Sequence, residues 1–359
     1  MNAEELREAA VKLTGLSDFG PDDFSDGLEV LVESLDHDAG LTEKGQRAAR
    51  AIVRGALTAR LMSEAGFAAY PAPAEIVRPV FVTGLPRTGT TFLHRLLVTD
   101  PGAQGLELWL AEAPQPRPPR AEWDSNPAYQ FIEQGLARHR AGRPSFSGVH
   151  EMGADQVEEC WQLLRQSMRS VSFECLFHLP EYSSWLAGND WTPAYRRHKR
   201  NLQLIGLDDP RRWVLKNPSH LFALDALLTV YPDALVVVTH RDPRVAMASM
   251  CSLAAQASAG WSSVFEGSAI GRDQLALWSR GWALFCAARQ RHPASSFADV
   301  DYDELVADPS AVIGRIRELA GMPAGAGPIL GGQADSGHRY ALADFGLTPA
   351  QVIAAFPPI

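Results

Sequence analysis

The stretch from Arg78 to Leu97, R-P-V-F-V-T-G-L-P-R-T-G-T-T-F-L-H-R-L-L, constrains this chain more than any other. Val80, Phe81 and Val82 form a short apolar run that stops at Gly84, which predicts a buried strand. From Gly89 the spacing changes, and Phe92, Leu93, Leu96 and Leu97 recur at helical intervals. Between them, G-L-P-R-T-G turns the chain so that backbone N–H groups of a helix N-terminus face outward. Such a strand–loop–helix holds phosphate, because unpaired N–H groups and the positive end of the helix dipole both favour an anion. A nucleotide triphosphatase places Lys and then Ser or Thr after the last glycine of this loop. Here Thr90 and Thr91 follow Gly89, and Arg87 is the cation inside the loop. One arginine with two hydroxyls suits a 5′-phosphate and its bridging oxygen; it does not make the usual Mg-triphosphate grip.

With 359 residues, 46% of them hydrophobic, the chain is long enough for one large α/β domain with extensions. A net charge of −9 argues against a general nucleic-acid binder and against a broad basic face for long polyanions. Cys160, Cys175, Cys251 and Cys286 lie far apart in apolar contexts and read as buried, reduced thiols. The start, M-N-A-E-E-L-R-E, is acidic and helical, unlike a signal peptide, and no apolar run approaches membrane-spanning length. These features predict a cytoplasmic protein.

Residues 1–75 read as an N-terminal helical extension packed on the core, and 76–359 as the α/β domain. Within the extension, Ser25 is the expected N-cap of a helix carrying Leu28, Leu31, Val32 and Leu35. A longer helix is expected from about Thr42 to Phe67, and neither is assigned chemistry. After the phosphate loop comes a long insertion, about 100–210, with no strand of its own. It opens on the proline-rich A-P-Q-P-R-P-P-R and is expected to hold helices at 127–140, 154–170 and 193–206. Its aromatics, among them Trp109, Trp123, Phe131, Phe146, Trp161, Phe173, Phe177, Trp185 and Trp191, read chiefly as core. So dense a set also suits the wall of an apolar pocket.

Trp213, Val214 and Leu215 predict a second strand ending at Lys216, with a helix from near Ser219. A lysine at the carboxyl end of a parallel strand sits on the ligand edge of an open α/β sheet. A third strand, A-L-V-V-V-T-H-R-D-P, ends at Arg241, and Ser249 follows eight residues later in a helix. A strand-end arginine and a hydroxyl two turns along a helix can grip a second phosphate. No acidic residue ends this strand directly, so Mg²⁺ has no obvious seat and no metal site is expected.

The ordered set P-R-T-G-T-T, V-L-K-N-P and H-R-D-P-R-V-A-M-A-S resembles the sulfotransferases that use 3′-phosphoadenosine 5′-phosphosulfate (PAPS), the broad group of bacterial and tyrosylprotein enzymes. The resemblance runs from about Arg78 to Ser249, is weaker through 301–321, and leaves residues 1–70 outside. It implies a three-layer, P-loop-type parallel sheet flanked by helices, with the insertion forming an acceptor pocket over the active site. It implies that Arg87, Thr88, Gly89, Thr90 and Thr91 hold the 5′-phosphate, and Arg241 and Ser249 the 3′-phosphate. Arg339, in a late basic loop, joins the 3′-phosphate site or is a surface arginine.

In such a family no metal is needed, and the acceptor oxygen attacks sulfur in line. Arg87 and Lys216 are then the cations for charge growing on the bridging oxygen. The general base is expected to be His150, in G-V-H-E-M-G, with Glu107 second. His220 comes third, because it follows Lys216 by four residues where the cytosolic enzymes place histidine two after the lysine; here that position is Pro218. A small, largely apolar alcohol or phenol is the expected acceptor. The rival readings are a P-loop kinase or nucleotidase and a non-catalytic nucleotide-binding relative.

Overall fold

The computed structural model describes residues 1–142, 153–322 and 341–357, which form two compact units. The one holding the phosphate loop comprises Ile76–Gly105, Arg211–Ala255 and Glu266–Ile359. It is built on five parallel strands: β1 (Val80–Gly84), β2 (Ala103–Gln104), β3 (Arg212–Lys216), β4 (Leu235–His240) and β5 (Phe297–Asp301). Their order is β2-β3-β1-β4-β5. β1 and β4 are near-continuous apolar runs because a parallel sheet is covered on both faces.

Alternation along β1 defines the two helical layers. Val80 and Val82 pack with Leu93 and Leu97 of the helix Thr90–Leu97 and with Val312 and Ile316 of the helix Pro309–Ala320. Phe81 points the other way and meets His220 and Tyr231, with ring centroids at 5.1 and 5.0 Å. The result is a three-layer α/β arrangement. In register, Lys216 lies beside Val82, Gly84 beside Thr239, and His240 beside Asp301. The carboxyl ends of four strands therefore meet at one edge, where ligands bind in open α/β sheets.

On the far layer, the helix Ser268–Arg289 passes so close to the turn Leu342–Phe345 that a Cβ at Gly271 would stand 2.0 Å from the Phe345 carbonyl oxygen. Backbone cannot yield as a side-chain tip can. Gly271→Ala is therefore expected to cost about 1–3 kcal/mol or more, the scale of overpacking. A chemical-denaturation midpoint equal to wild type would refute that packing.

The second unit comprises Met1–Glu75, Leu106–Pro210 and Gln256–Phe265. Its long helix, Glu43–Ala69, starts where expected, with the Thr42 hydroxyl accepting from the Gly45 N–H at 3.1 Å. Ser25 is not the cap expected of it. The helix Ser25–His37 begins on it with Phe24 at the cap position, and its hydroxyl is engaged by Asp22 and Arg7 instead.

The helix expected at 154–170 is reduced to Trp161–Arg165. Upstream, residues 154–158 spend their backbone groups on 106–109: Leu108 N–H donates to Gln156, Trp109 to Ala154, and Glu158 to Leu106. Downstream, side chains take the backbone instead. Arg60 donates to the Gln166 carbonyl at 3.0 Å, and the Tyr182 hydroxyl to the Met168 carbonyl at 2.8 Å, with Met168 at φ 51°. The insertion also contains a strand, β2, against the expectation of none. Two residues are too short to show periodicity.

Trp109, Trp123, Phe173, Phe177 and Trp191 are buried, and Trp109 packs edge-on against Trp123 and Tyr129. These aromatics are core, whereas Phe131 is exposed and Phe146 lies outside the described residues. All four cysteines are free thiols, and burial pushes the Cys251 thiol up to about 12. No helix among the described residues is long and apolar enough to cross a membrane.

Candidate active site

The phosphate loop leaves β1 at Gly84, whose φ of 142° and close approach to the strand beside it demand glycine. A Cβ there would stand 2.5 Å from the Thr239 carbonyl oxygen. Gly89, at φ 93°, starts the helix Thr90–Leu97, whose N-terminus has no side-chain cap. Its first-turn N–H groups are thus available to an anion. Thr88 is 1% exposed, and its hydroxyl bonds to the Leu85 carbonyl at 2.7 Å and the Thr239 hydroxyl at 2.5 Å. That side chain braces the loop on β4, and the residue offers a ligand its backbone.

Arg87 sits in the left-handed region at φ 71°, a conformation that costs a non-glycine residue about 1–2 kcal/mol. It is held there from two sides. Its Nε donates to Ser249 Oγ at 2.9 Å, and its carbonyl accepts from Arg241 at 3.1 Å. Arg241 in turn lies over the Tyr302 ring, 3.8 Å from the centroid. Lys216, wholly buried at the end of β3, donates to the Thr91 hydroxyl at 3.2 Å. The structure so brings Arg87, Thr91, Lys216, Arg241 and Ser249 around one loop, and pairs Ser249 with Arg87.

Tyr302 and Thr239 went unnoticed in the sequence. Tyr302 closes over the loop as well as under Arg241: a Cβ at Gly89 would be 3.0 Å from its ring. The available signal was its place directly after Asp301, the last residue of β5.

Along the loop's flank runs a cleft of about 650 Å³, bordered by Arg241, His240, Trp282 and Phe356. His240 there meets Asp299 at 2.7 Å. The Arg289 guanidinium, with help from His240, holds the Asp299 carboxyl well below the usual carboxylate range. Among the described residues no three of His, Cys, Asp and Glu gather as a metal-binding group.

The candidate bases stand apart in character. Glu107, in the other unit, precedes the helix Leu108–Glu112, and its carboxylate accepts from Arg117 at 2.9 and 3.2 Å. Arg117 also reaches Asp209 at 3.0 Å. His220 lies in a 3-10 turn two residues past Pro218, is 1% exposed, and packs edge-on against Phe81. His150 and Arg339 lie outside the described residues.

The pattern of the Sulfotransferase family matches residues 79–325. The chain belongs to that family. Among solved structures, it is similar to sulfotransferase STF1 of Mycobacterium tuberculosis H37Rv, with 50% identity and a TM-score of 0.92 over 99% of this chain and 98% of that one. STF9 of Mycobacterium avium is 27% identical, with a TM-score of 0.88 over 99% of this chain and 94% of the other. A curated relative, the omega-hydroxy-beta-dihydromenaquinone-9 sulfotransferase Stf3 of Mycobacterium bovis and Mycobacterium tuberculosis, is 26% identical over 252 residues. That match takes in 68% of this chain and 63% of the length of Stf3. The likeness to STF1 and STF9 extends through residues 1–70, which the motif resemblance had left outside.

Proposed function

We propose that this sulfotransferase-family chain transfers a sulfuryl group from PAPS to the hydroxyl of a small, largely apolar acceptor. The observation that carries the reading is the set of cations around a phosphate loop that lacks the triphosphatase lysine. Lys216 stands beside Thr91, while Arg241 and Ser249 clamp Arg87 in the same loop. The acceptor class rests on a relative, since Stf3 is named for a hydroxylated menaquinone derivative.

PAPS, when bound, supplies an activated sulfuryl group on a 5′-phosphate. In this reading the N–H groups of the loop and first helical turn hold that phosphate, from Thr88 and Gly89 to Thr90 and Thr91. Arg87 and Lys216 aim positive charge at the bridging oxygen, where it matters most as the S–O bond breaks. Arg241 and Ser249 receive the 3′-phosphate, with the Tyr302 ring 3.8 Å from the Arg241 guanidinium.

Arg241→Ala is expected to weaken PAPS binding by about 1.5–3 kcal/mol, the scale of a charge-assisted contact. Adenosine 5′-phosphosulfate, which lacks the 3′-phosphate, should bind almost as before. Equal losses for both would show that Arg241 acts by bracing Arg87 instead. A rise in melting temperature with 3′,5′-ADP but not with Mg-ATP is expected as well, and the reverse would favour a kinase.

The general base takes the acceptor's proton as the new O–S bond forms. We assign it to His150 on its chemistry, since imidazole accepts a proton near neutral pH without a large shift. Glu107 stands second because Arg117 competes for its carboxylate oxygens. With saturating PAPS, His150→Gln is expected to remove the acidic limb of the pH–rate profile. If that limb survives and Glu107→Gln removes it, the role passes to Glu107; if neither does, to His220.

A further inference from the structure

Thr83 and Thr239 are the first polar residues of β1 and β4, and with Thr88 of the phosphate loop they are buried, none more than 1% exposed. Thr83 donates its hydroxyl to the carbonyl of Asn217, the residue after Lys216, at 3.0 Å. Thr88 donates to the Leu85 carbonyl at 2.7 Å, so the proton in its 2.5 Å contact with Thr239 is supplied by Thr239. The Thr239 hydroxyl also lies 3.3 Å from the Thr83 carbonyl. A ladder of hydroxyls thus runs from the end of β3 across β1 to β4 and up into the loop. One end adjoins Lys216; the other lies two residues before Arg241.

Gly84 makes room for it, since a Cβ there would stand 2.6 Å from the Thr239 hydroxyl oxygen and 3.1 Å from that of Thr88. Stability alone does not call for these hydroxyls. Apolar groups of the same shape on both sides of a buried hydrogen bond are close to neutral, or better. What a hydroxyl pair supplies is a short distance. Oxygen meets oxygen at 2.5 Å here, whereas a carbon in its place holds an oxygen about 3.3–3.6 Å away. The pair draws the loop roughly 1 Å nearer β4 than a hydrocarbon contact would. A displacement of about that size in a reacting group can cost about 100-fold in rate.

We propose that Thr83, Thr239 and the Thr88 hydroxyl are a positioning ladder that sets the phosphate loop against the strand ends bearing Lys216 and Arg241, with Thr239 as its controlling member. The kinetic consequence rests on the sulfuryl-transfer reading; the seating of the loop does not. Thr239 and Thr83 act through the residues they hold.

Two measurements on the full chain test this. The first is hydrogen exchange of amides 84–91 without ligand, and the second is turnover of PAPS with a panel of alcohols and phenols, well below each variant's melting temperature. Thr239→Val should exchange at least about tenfold faster and turn over about 100-fold more slowly. Thr239→Ser, which keeps the hydroxyl, should stay within about threefold of wild type in both. Thr83→Val should lower turnover about tenfold with the KM for PAPS unchanged, because its contact lies on the Lys216 side. If Thr239→Val does not fold, Thr239→Ala removes the hydroxyl without adding volume and should exchange about fivefold faster. A purely structural role would lower melting temperatures and leave these rates alone. Wild-type exchange in the valine variant, wild-type turnover in it, or a serine variant as impaired as the valine one would overturn the proposal. If the wild-type chain transfers nothing from PAPS, the sulfuryl reading falls, and exchange alone decides for or against the ladder.

Discussion

Purified Lys216→Ala and Arg87→Ala proteins are expected to turn over PAPS about 100-fold more slowly than wild type, or worse, the scale of losing one transition-state donor. The two losses should differ in kind. Lys216 is wholly buried at a strand end and reaches Thr91, so its removal should strike turnover with little change in donor affinity. Arg87 is held by Ser249 at the side chain and by Arg241 at the carbonyl. Its loss should also loosen the loop and raise the KM for PAPS. Relief of the left-handed backbone is available as a control: Arg87→Gly should be at least as stable as Arg87→Ala and equally inactive. Near-normal turnover in either alanine variant would remove the cations from the mechanism.

The largest loss of stability is expected at Arg197. Its guanidinium is buried and meets Glu64 at 2.7 Å and the Gln166 side chain at 3.0 Å, beside Arg60, which is wholly buried and paired with Asp23. Desolvation pulls the Arg197 guanidinium down to about 9 despite Glu64. Arg197→Leu leaves the Glu64 carboxylate buried without its ion-pair partner, which costs about 3–5 kcal/mol. The double variant Arg197→Leu/Glu64→Leu should recover much of that, because an apolar pair needs no such compensation. Melting curves for wild type, the single and the double variant check both statements. A single variant as stable as wild type would show the network to be dispensable.

What the sequence disclosed, and what it concealed, follows from how each element is held. β1, β3 and β4 were legible because strands covered on both faces must be apolar throughout, and the glycine-marked loop follows β1 directly. β2 is two residues long and draws its stability from β3, so no local pattern announces it. The segment 154–170 carries helical spacing, yet its backbone is claimed from outside by residues 106–109, Arg60 and Tyr182. Residue types and spacing singled out Arg87, Lys216, Arg241 and Ser249, and the structure gathers them around one loop. The actual pairing of Ser249 with Arg87, and the Tyr302 ring beneath Arg241, are tertiary facts with no signature in chain order.

The central claim is tested most directly by incubating the full chain with PAPS labelled in its sulfuryl group and a panel of alcohols and phenols. The account predicts labelled sulfate ester on a hydroxylated apolar acceptor, 3′,5′-ADP formed in equal amount, and both formed about 100-fold more slowly, or worse, with Lys216→Ala. Transfer to no member of the panel, or phosphoryl transfer from Mg-ATP in its place, would contradict it.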